Sequence, residues 1–247
     1  MHRFFISPDN ISESKVIFPQ DISHQLYKVF RSKKGDYCLV FDGTGTEYLV
    51  NLNNVNSSEA FGDIVEIINF SREPAVKLFL YQALIKSDRF EYAIQKSVEL
   101  GVHEIVPVIS ERTEYAIPSD SRFKRWENII REAAEQSKRT ILPALRSPIN
   151  LDEALQESPK RSIIPWEMEN SKGIKEVLRN IKEDINENTF DMGIFIGPVG
   201  GFSQKEIEFA VYNKITPVSL GPRIFRAETA GIIAATAILY EFGDLAV

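Results

Sequence analysis

Two hydrophobic rhythms divide the chain. Over roughly the first seventy residues, apolar positions come in short β-branched and aromatic runs broken by Gly, Asp and Asn. Tyr37–Phe41 and Glu47–Leu52 flank Asp42-Gly43-Thr44-Gly45, a turn able to supply positive φ. Lys34-Gly35-Asp36 and Phe61-Gly62-Asp63 mark further turns, the second leading into a strand over Ile64–Ile68. Short strands at this spacing predict a small β-barrel. A helix is predicted from His24 to Arg31, and Asn51–Ser58 reads as a polar loop. Ser71-Arg72-Glu73-Pro74 ends the pattern, since proline disfavours continued regular structure, and sets domains at 1–72 and 73–247.

Beyond Pro74, strands alternate with helices. Strands are predicted at Val76–Tyr81, Ile105–Val108, Ile163-Ile164, Gly193–Ile196 and Val218–Leu220. The helices fall at Ser87–Val98, with Ser87 as cap and Gly101 as stop, at Arg122–Ser137, and near 171–182, 203–212 and 227–241. Such alternation implies an α/β domain with a mainly parallel sheet covered by helices. The last helix carries Ala227, Ala230, Gly231, Ala234, Ala235 and Ala237, which suits close packing on its own sheet or on a second copy.

Composition narrows the class. With 43% hydrophobic and 26% charged residues, the 247-residue chain is ordinary for a globular protein. No apolar run approaches the ~20 residues of a membrane span, and Met1–Pro8 lacks the apolar stretch of a signal peptide, so no membrane partner is expected. Cys38 is the single cysteine, excluding an internal disulfide and pointing to a cytoplasmic setting; as a residue it reads as strand filler. The net charge of −6 argues against nonspecific nucleic-acid binding. Residues 73–146, however, hold 12 basic against 11 acidic side chains, while both flanks are acidic. Solvated helix faces or a folded basic groove both fit that excess. The three histidines suggest no metal site and no Ser–His–Asp triad.

The candidate chemistry lies in two loops near the C-terminus, each between a strand and a helix, where open α/β folds place ligands. In Ile196-Gly197-Pro198-Val199-Gly200-Gly201-Phe202, glycines expose backbone N–H groups, and Ser203 with Glu206 forms a capping-box pattern. The loop is neither G-x-G-x-x-G nor a Walker motif, and a purely structural turn fits it too. In Leu220–Ala230, Arg223, Arg226 and Glu228 crowd a helix start. Glu228 there either complements the helix dipole with Arg226 as its partner, or the two carry a reaction.

The ordered series Arg3-Phe4-Phe5, His24 with Val29-Phe30-Arg31, Lys86-Ser87-Asp88-Arg89, Gln95-Lys96, Glu99-Leu100-Gly101-Val102, Glu111-Arg112, Trp126, Glu132-Ala133, Gln136-Ser137, Arg139 and both loops resembles the RsmE family of ribosomal-RNA uridine N3-methyltransferases, within the SPOUT superfamily. The resemblance covers nearly the whole chain. It implies a PUA-like β-barrel RNA-binding domain followed by a SPOUT-type trefoil-knotted α/β methyltransferase domain, acting as a homodimer. It implies S-adenosylmethionine as cofactor and 16S rRNA of the small ribosomal subunit, in its decoding region, as substrate. Two residues depart from the family pattern: Val199 stands where a Glu is usual, and Phe225 where a Leu is usual.

By that resemblance the cofactor set is Trp166, Glu167, Ile196, Gly197, Gly200, Gly201, Leu220, Gly221, Ile224, Phe225, Arg226 and Thr229. Uridine N3 carries a proton at neutral pH. Arg226 is the candidate to stabilise negative charge on the uracil oxygens, and Glu228 to accept the proton or orient Arg226. Phosphate contacts are expected from Arg31, Lys33, Lys34, Lys86, Arg89, Arg112, Arg139 and Arg223. Two rival readings stand beside this one: an oxidoreductase using the glycine loop for a dinucleotide, and an RNA-binding assembly factor without turnover.

Overall fold

The computed structural model describes residues 1–185 and 187–245, which form two compact units. The first comprises Met1–Glu73 together with Ala134–Leu142. Its strands are β1 (Arg3–Phe5), β2 (Lys15–Phe18), β3 (Tyr37–Phe41), β4 (Glu47–Val55) and β5 (Ala60–Ile68), in the order β1-β3-β4-β5-β2. β1 runs parallel to β3, and the other pairs are antiparallel. Phe4, Val16, Phe18, Cys38, Val40, Val50 and Leu52 point inward from the strands and, with Leu26 from a helical turn, make its core.

Two local expectations change here. Asn51–Val55 is strand rather than loop: Asn51, Leu52, Asn54 and Val55 find partners on β5, and that cross-strand pairing overrides the polar composition. The expected His24–Arg31 helix begins earlier, as α1 (Gln20–His24), and runs on into a single π-helical turn over Gln25–Val29; Arg31, at φ 54°, lies beyond it.

Ala134–Leu142 belongs with this unit although it lies far along the sequence. Arg3 explains why: its guanidinium donates to the carbonyls of Ala134 (3.1 Å) and Arg139 (2.6 Å) and to Glu47 (2.5 Å). The Phe5 N–H donates to Glu135 at 2.9 Å. Arg139 is 3% exposed and grips Glu73 through Nε (3.1 Å) and Nη2 (2.6 Å). It is therefore a structural cation of this unit and not a phosphate contact, a correction to the expected RNA set.

The second unit runs from Pro74 to Ala133 and from Pro143 onward. Its elements are β6 (Val76–Ala83), α2 (Ser87–Glu99), β7 (Glu104–Ile109), α3 (Asp120–Ser137, whose last turn belongs to the first unit), β8 (Ala144–Leu145), β9 (Ile149–Asn150), α4 (Leu151–Glu157), β10 (Ser162–Pro165), α5 (Ile174–Glu183), β11 (Phe190–Ile196), α6 (Gln204–Tyr212), β12 (Thr216–Val218) and α7 (Ala227–Glu241). The sheet order is β12-β10-β11-β6-β7-β8, with β9 also on β7, and every pairing is parallel. A parallel sheet needs apolar residues on both faces, and β11 supplies them as an almost unbroken buried run. Tyr81 and Phe195 stack at 4.3 Å beside Val106, Ile164, Phe202 and Ile207.

Gly101, at φ +91°, ends α2 as expected. Ser87 does not cap that helix: it is already the first helical residue, and its hydroxyl turns to Glu91. Among the described residues no helix is long and apolar enough to cross a membrane.

Candidate active site

Because the strands are parallel, their carboxyl ends share one edge of the sheet, and the loops leaving β10, β11 and β12 converge there. They enclose a cavity of about 800 Å3, within the range of small-molecule sites. Trp166 and Glu167 come from the first loop, Ile196 to Phe202 from the second, and Ser219 to Arg226 from the third. Ala227, Glu228 and Ala230 of α7 and Arg89 of α2 complete it.

The glycine loop is held open by its own geometry. A turn closes from the Gly201 N–H to the Pro198 carbonyl at 3.0 Å. Phe202 then plunges into the core, 4% exposed, and anchors the far end. Gly201 lies at φ +67°, and a Cβ there would meet a Glu167 carboxylate oxygen at 2.5 Å. A Cβ at Gly197 would press on the Phe202 ring at 3.1 Å. The backbone at Gly201 thus favours glycine, whereas a side chain at Gly197 would only require the Phe202 ring to give by a few tenths of an ångström. The Ser203–Glu206 capping box forms as the sequence pattern anticipates and starts α6.

Glu228 lies in the first turn of α7, one residue beyond its start, with its side chain only 11% exposed. Its Oε1 faces two guanidinium groups, Arg89 at 3.7 Å and Arg226 at 4.0 Å. Its Oε2 is buried and has no hydrogen-bond partner. A buried carboxylate oxygen without a donor costs about 1–3 kcal/mol or more, so the Glu228 carboxylate, on a residue that lines the cavity, is short of one donor. The Arg226 side chain is 73% exposed, whereas that of Arg89 is half as exposed. Glu169, also on the wall, is kept below the usual carboxylate range by the Ser171 hydroxyl and N–H.

All members of the expected cofactor set except Thr229 line this one cavity. Thr229 follows Glu228 on α7, and the ~100° turn per residue carries it off the lining face. Of the expected RNA contacts, Arg31, Lys33, Lys34, Lys86, Arg112 and Arg223 are exposed. Arg89 faces Glu228, and Arg112 donates to the Gly200 carbonyl at 2.8 Å. The wall also holds Pro198, Val199, Glu169, Asn170 and Ser219, which the sequence reading did not assign. The polar cluster Glu169 to Gly173 between β10 and α5 was the available signal for two of them. Among the described residues no cluster of His, Cys, Asp or Glu is arranged to hold a metal ion.

Residues 72–239 match the family model described as an RNA methyltransferase domain, a span holding every loop of this cavity. A protein of Mesomycoplasma hyopneumoniae called ribosomal RNA small subunit methyltransferase E is 34% identical over 96% of this chain and 98% of its own length. The chain belongs to this family. A Bacillus subtilis member of the same name is 28% identical over 98% of this chain and 97% of its own. The crystal structure of a family member from Neisseria gonorrhoeae, bound to S-adenosyl methionine, superposes with a TM-score of 0.84 at 30% identity, covering 97% of each chain. The architecture is thus shared with that structure over 97% of this chain.

Proposed function

We propose that this protein transfers a methyl group from S-adenosylmethionine to N3 of a uridine in the decoding region of 16S rRNA, within the small ribosomal subunit. The observation that carries the reading is the glycine-walled cavity with the bare Glu228 oxygen and two guanidinium groups at one end. The donor set fits the cofactor. Gly197, Gly200 and Gly201 offer backbone without side-chain obstruction, Trp166, Ile196 and Phe225 offer apolar surface, and Glu167 offers an acceptor. Bound there, S-adenosylmethionine supplies a methyl group activated by a sulfonium.

The chain's own residues account for the rest. Glu228, on the cavity wall, accepts the N3 proton, so that the nitrogen lone pair becomes available. Arg226, exposed at the rim, stabilises the charge that develops on the uracil oxygens. Arg89 pairs with Glu228 Oε1 at 3.7 Å and so helps to orient the carboxylate. The bound RNA is met by exposed Arg31, Lys33, Lys34, Lys86 and Arg223. The first unit serves as a PUA-like RNA-binding barrel, and the second has the knotted SPOUT topology. Two copies pair through α7, whose apolar residues run round the helix and leave Ile232 and Ile233 half-buried and Tyr240 exposed. The working compartment is the cytoplasm.

The test is transfer of labelled methyl to small subunits from a strain lacking the modification. Wild type should label a single uridine. Glu228→Gln should lose about 100- to 10,000-fold in kcat while binding S-adenosylmethionine normally. Association with the subunit without incorporation of label would instead favour the assembly-factor reading, and NAD binding the oxidoreductase one.

A further inference from the structure

We propose that Glu111 and Arg112, in the loop after β7, are positioning residues that hold the glycine loop in its cofactor-ready shape. The inference rests on the reading of that loop as part of the S-adenosylmethionine site. The sheet order places β6 between β7 and β11, and all three strands end on the same edge. The loop leaving β7 therefore reaches over to the loop leaving β11.

Two connections join them. Arg112 donates through Nη1 to the Gly200 carbonyl at 2.8 Å, and a Cβ on Gly200 would touch the Arg112 stem at 3.4 Å. The second is a closed ring of hydrogen bonds. The Glu111 N–H donates to Glu206 Oε1 at 2.7 Å. The Ser203 N–H donates to Glu206 Oε2 at 2.7 Å. The Ser203 hydroxyl donates to Glu111 Oε2 at 2.7 Å and accepts the Glu206 N–H at 3.4 Å. One end of the glycine loop is thus fixed by the β7 loop through Ser203, and its middle through Gly200. A capping box needs only Ser203 and Glu206; the extra bonds to Glu111, 92 residues away, serve no helix start.

The consequence concerns Arg112. A cation spent on a loop carbonyl acts on cofactor affinity, whereas a phosphate contact acts on RNA affinity and its salt dependence. Removing the Arg112 donor or the Ser203 hydroxyl would let the loop relax, and ordering it again would weaken cofactor binding.

The full-length protein separates these. S-adenosylmethionine binding is measured by calorimetry and by fluorescence of Trp166, which lines the cavity while Trp126 is buried. KM values for cofactor and for small subunits follow from methyl transfer. Arg112→Met keeps the stem and removes the donors; it should raise the cofactor Kd and KM about tenfold, the loss of one charge-assisted hydrogen bond. The KM for subunits should stay within twofold, and Arg112→Lys should recover part of the loss. Ser203→Ala should follow Arg112→Met in cofactor affinity; cooperative melts, near wild type for Arg112→Met and a few degrees lower for Ser203→Ala through its lost helix cap, will show both folded. A cofactor Kd unchanged in both variants overturns the proposal, as does a raised KM for subunits alone, which returns Arg112 to the phosphate contacts. Failure of wild type itself to bind S-adenosylmethionine removes the underlying reading and the proposal with it.

Discussion

Replacing Gly201 by alanine tests the cavity at its tightest point. The residue sits at φ +67°, where a side chain costs about 1–2 kcal/mol in backbone strain. Its new Cβ would also lie 2.5 Å from Glu167 Oε1 and 3.2 Å from the carboxyl carbon. Glu167 is exposed and its carboxylate ends a flexible side chain, so it can swing aside; that displacement adds on the order of 0.5–1 kcal/mol rather than a core-sized penalty. The total, about 2 kcal/mol, divides between two readouts. Strain retained by the folded protein lowers Tm by roughly 2–4 °C per kcal/mol. Strain relieved by loosening the loop appears instead as weaker cofactor binding, up to about thirtyfold for the whole amount. Scanning calorimetry and titration calorimetry on one preparation measure both. Repeating the change in a Glu167→Ala background keeps the backbone strain and removes the clash, so the difference between backgrounds isolates the contact. A Gly201→Ala protein with wild-type Tm and cofactor affinity would refute the left-handed loop and the close approach together.

Two further predictions concern the first unit. Burial pushes the Cys38 thiol up to about 12, so the native protein should not react with a disulfide reagent at pH 8, whereas the unfolded chain should react with one equivalent. Since the folded state favours the neutral thiol, that contribution is complete below pH 9 and is lost as the pH rises towards 12. It amounts to about 4 kcal/mol, and a melt series at alkaline pH will show it. Rapid native labelling would contradict the packing around β3. Arg139→Met should lower stability by about 3–5 kcal/mol, because Glu73 loses its buried partner, while leaving the salt dependence of RNA binding unchanged. A salt slope reduced by about one with an unchanged melt would make Arg139 a phosphate contact after all.

Short-range chemistry was readable from the chain alone. The Ser203–Glu206 capping box, the Gly101 helix stop and the strand–loop–helix setting of both glycine-containing loops involve partners within a few residues, so their spacing carries them. The residues that converge on the cavity could be named, through the resemblance, because they fall in three short loops. Tertiary structure decided where the cations go. Arg139 and Arg112 look alike in sequence to any surface arginine; their partners, Glu73 and Gly200, stand 66 and 88 residues away, and only folding brings them within reach. Asn51–Val55 is polar by composition and becomes strand because β5 lies alongside. The bare oxygen of Glu228 was equally invisible, since whether a carboxylate is satisfied depends on every neighbour that packing supplies. Local hydrogen bonds and periodicity are written residue by residue, whereas burial and long-range pairing exist only once the loops have been gathered onto one edge of the sheet.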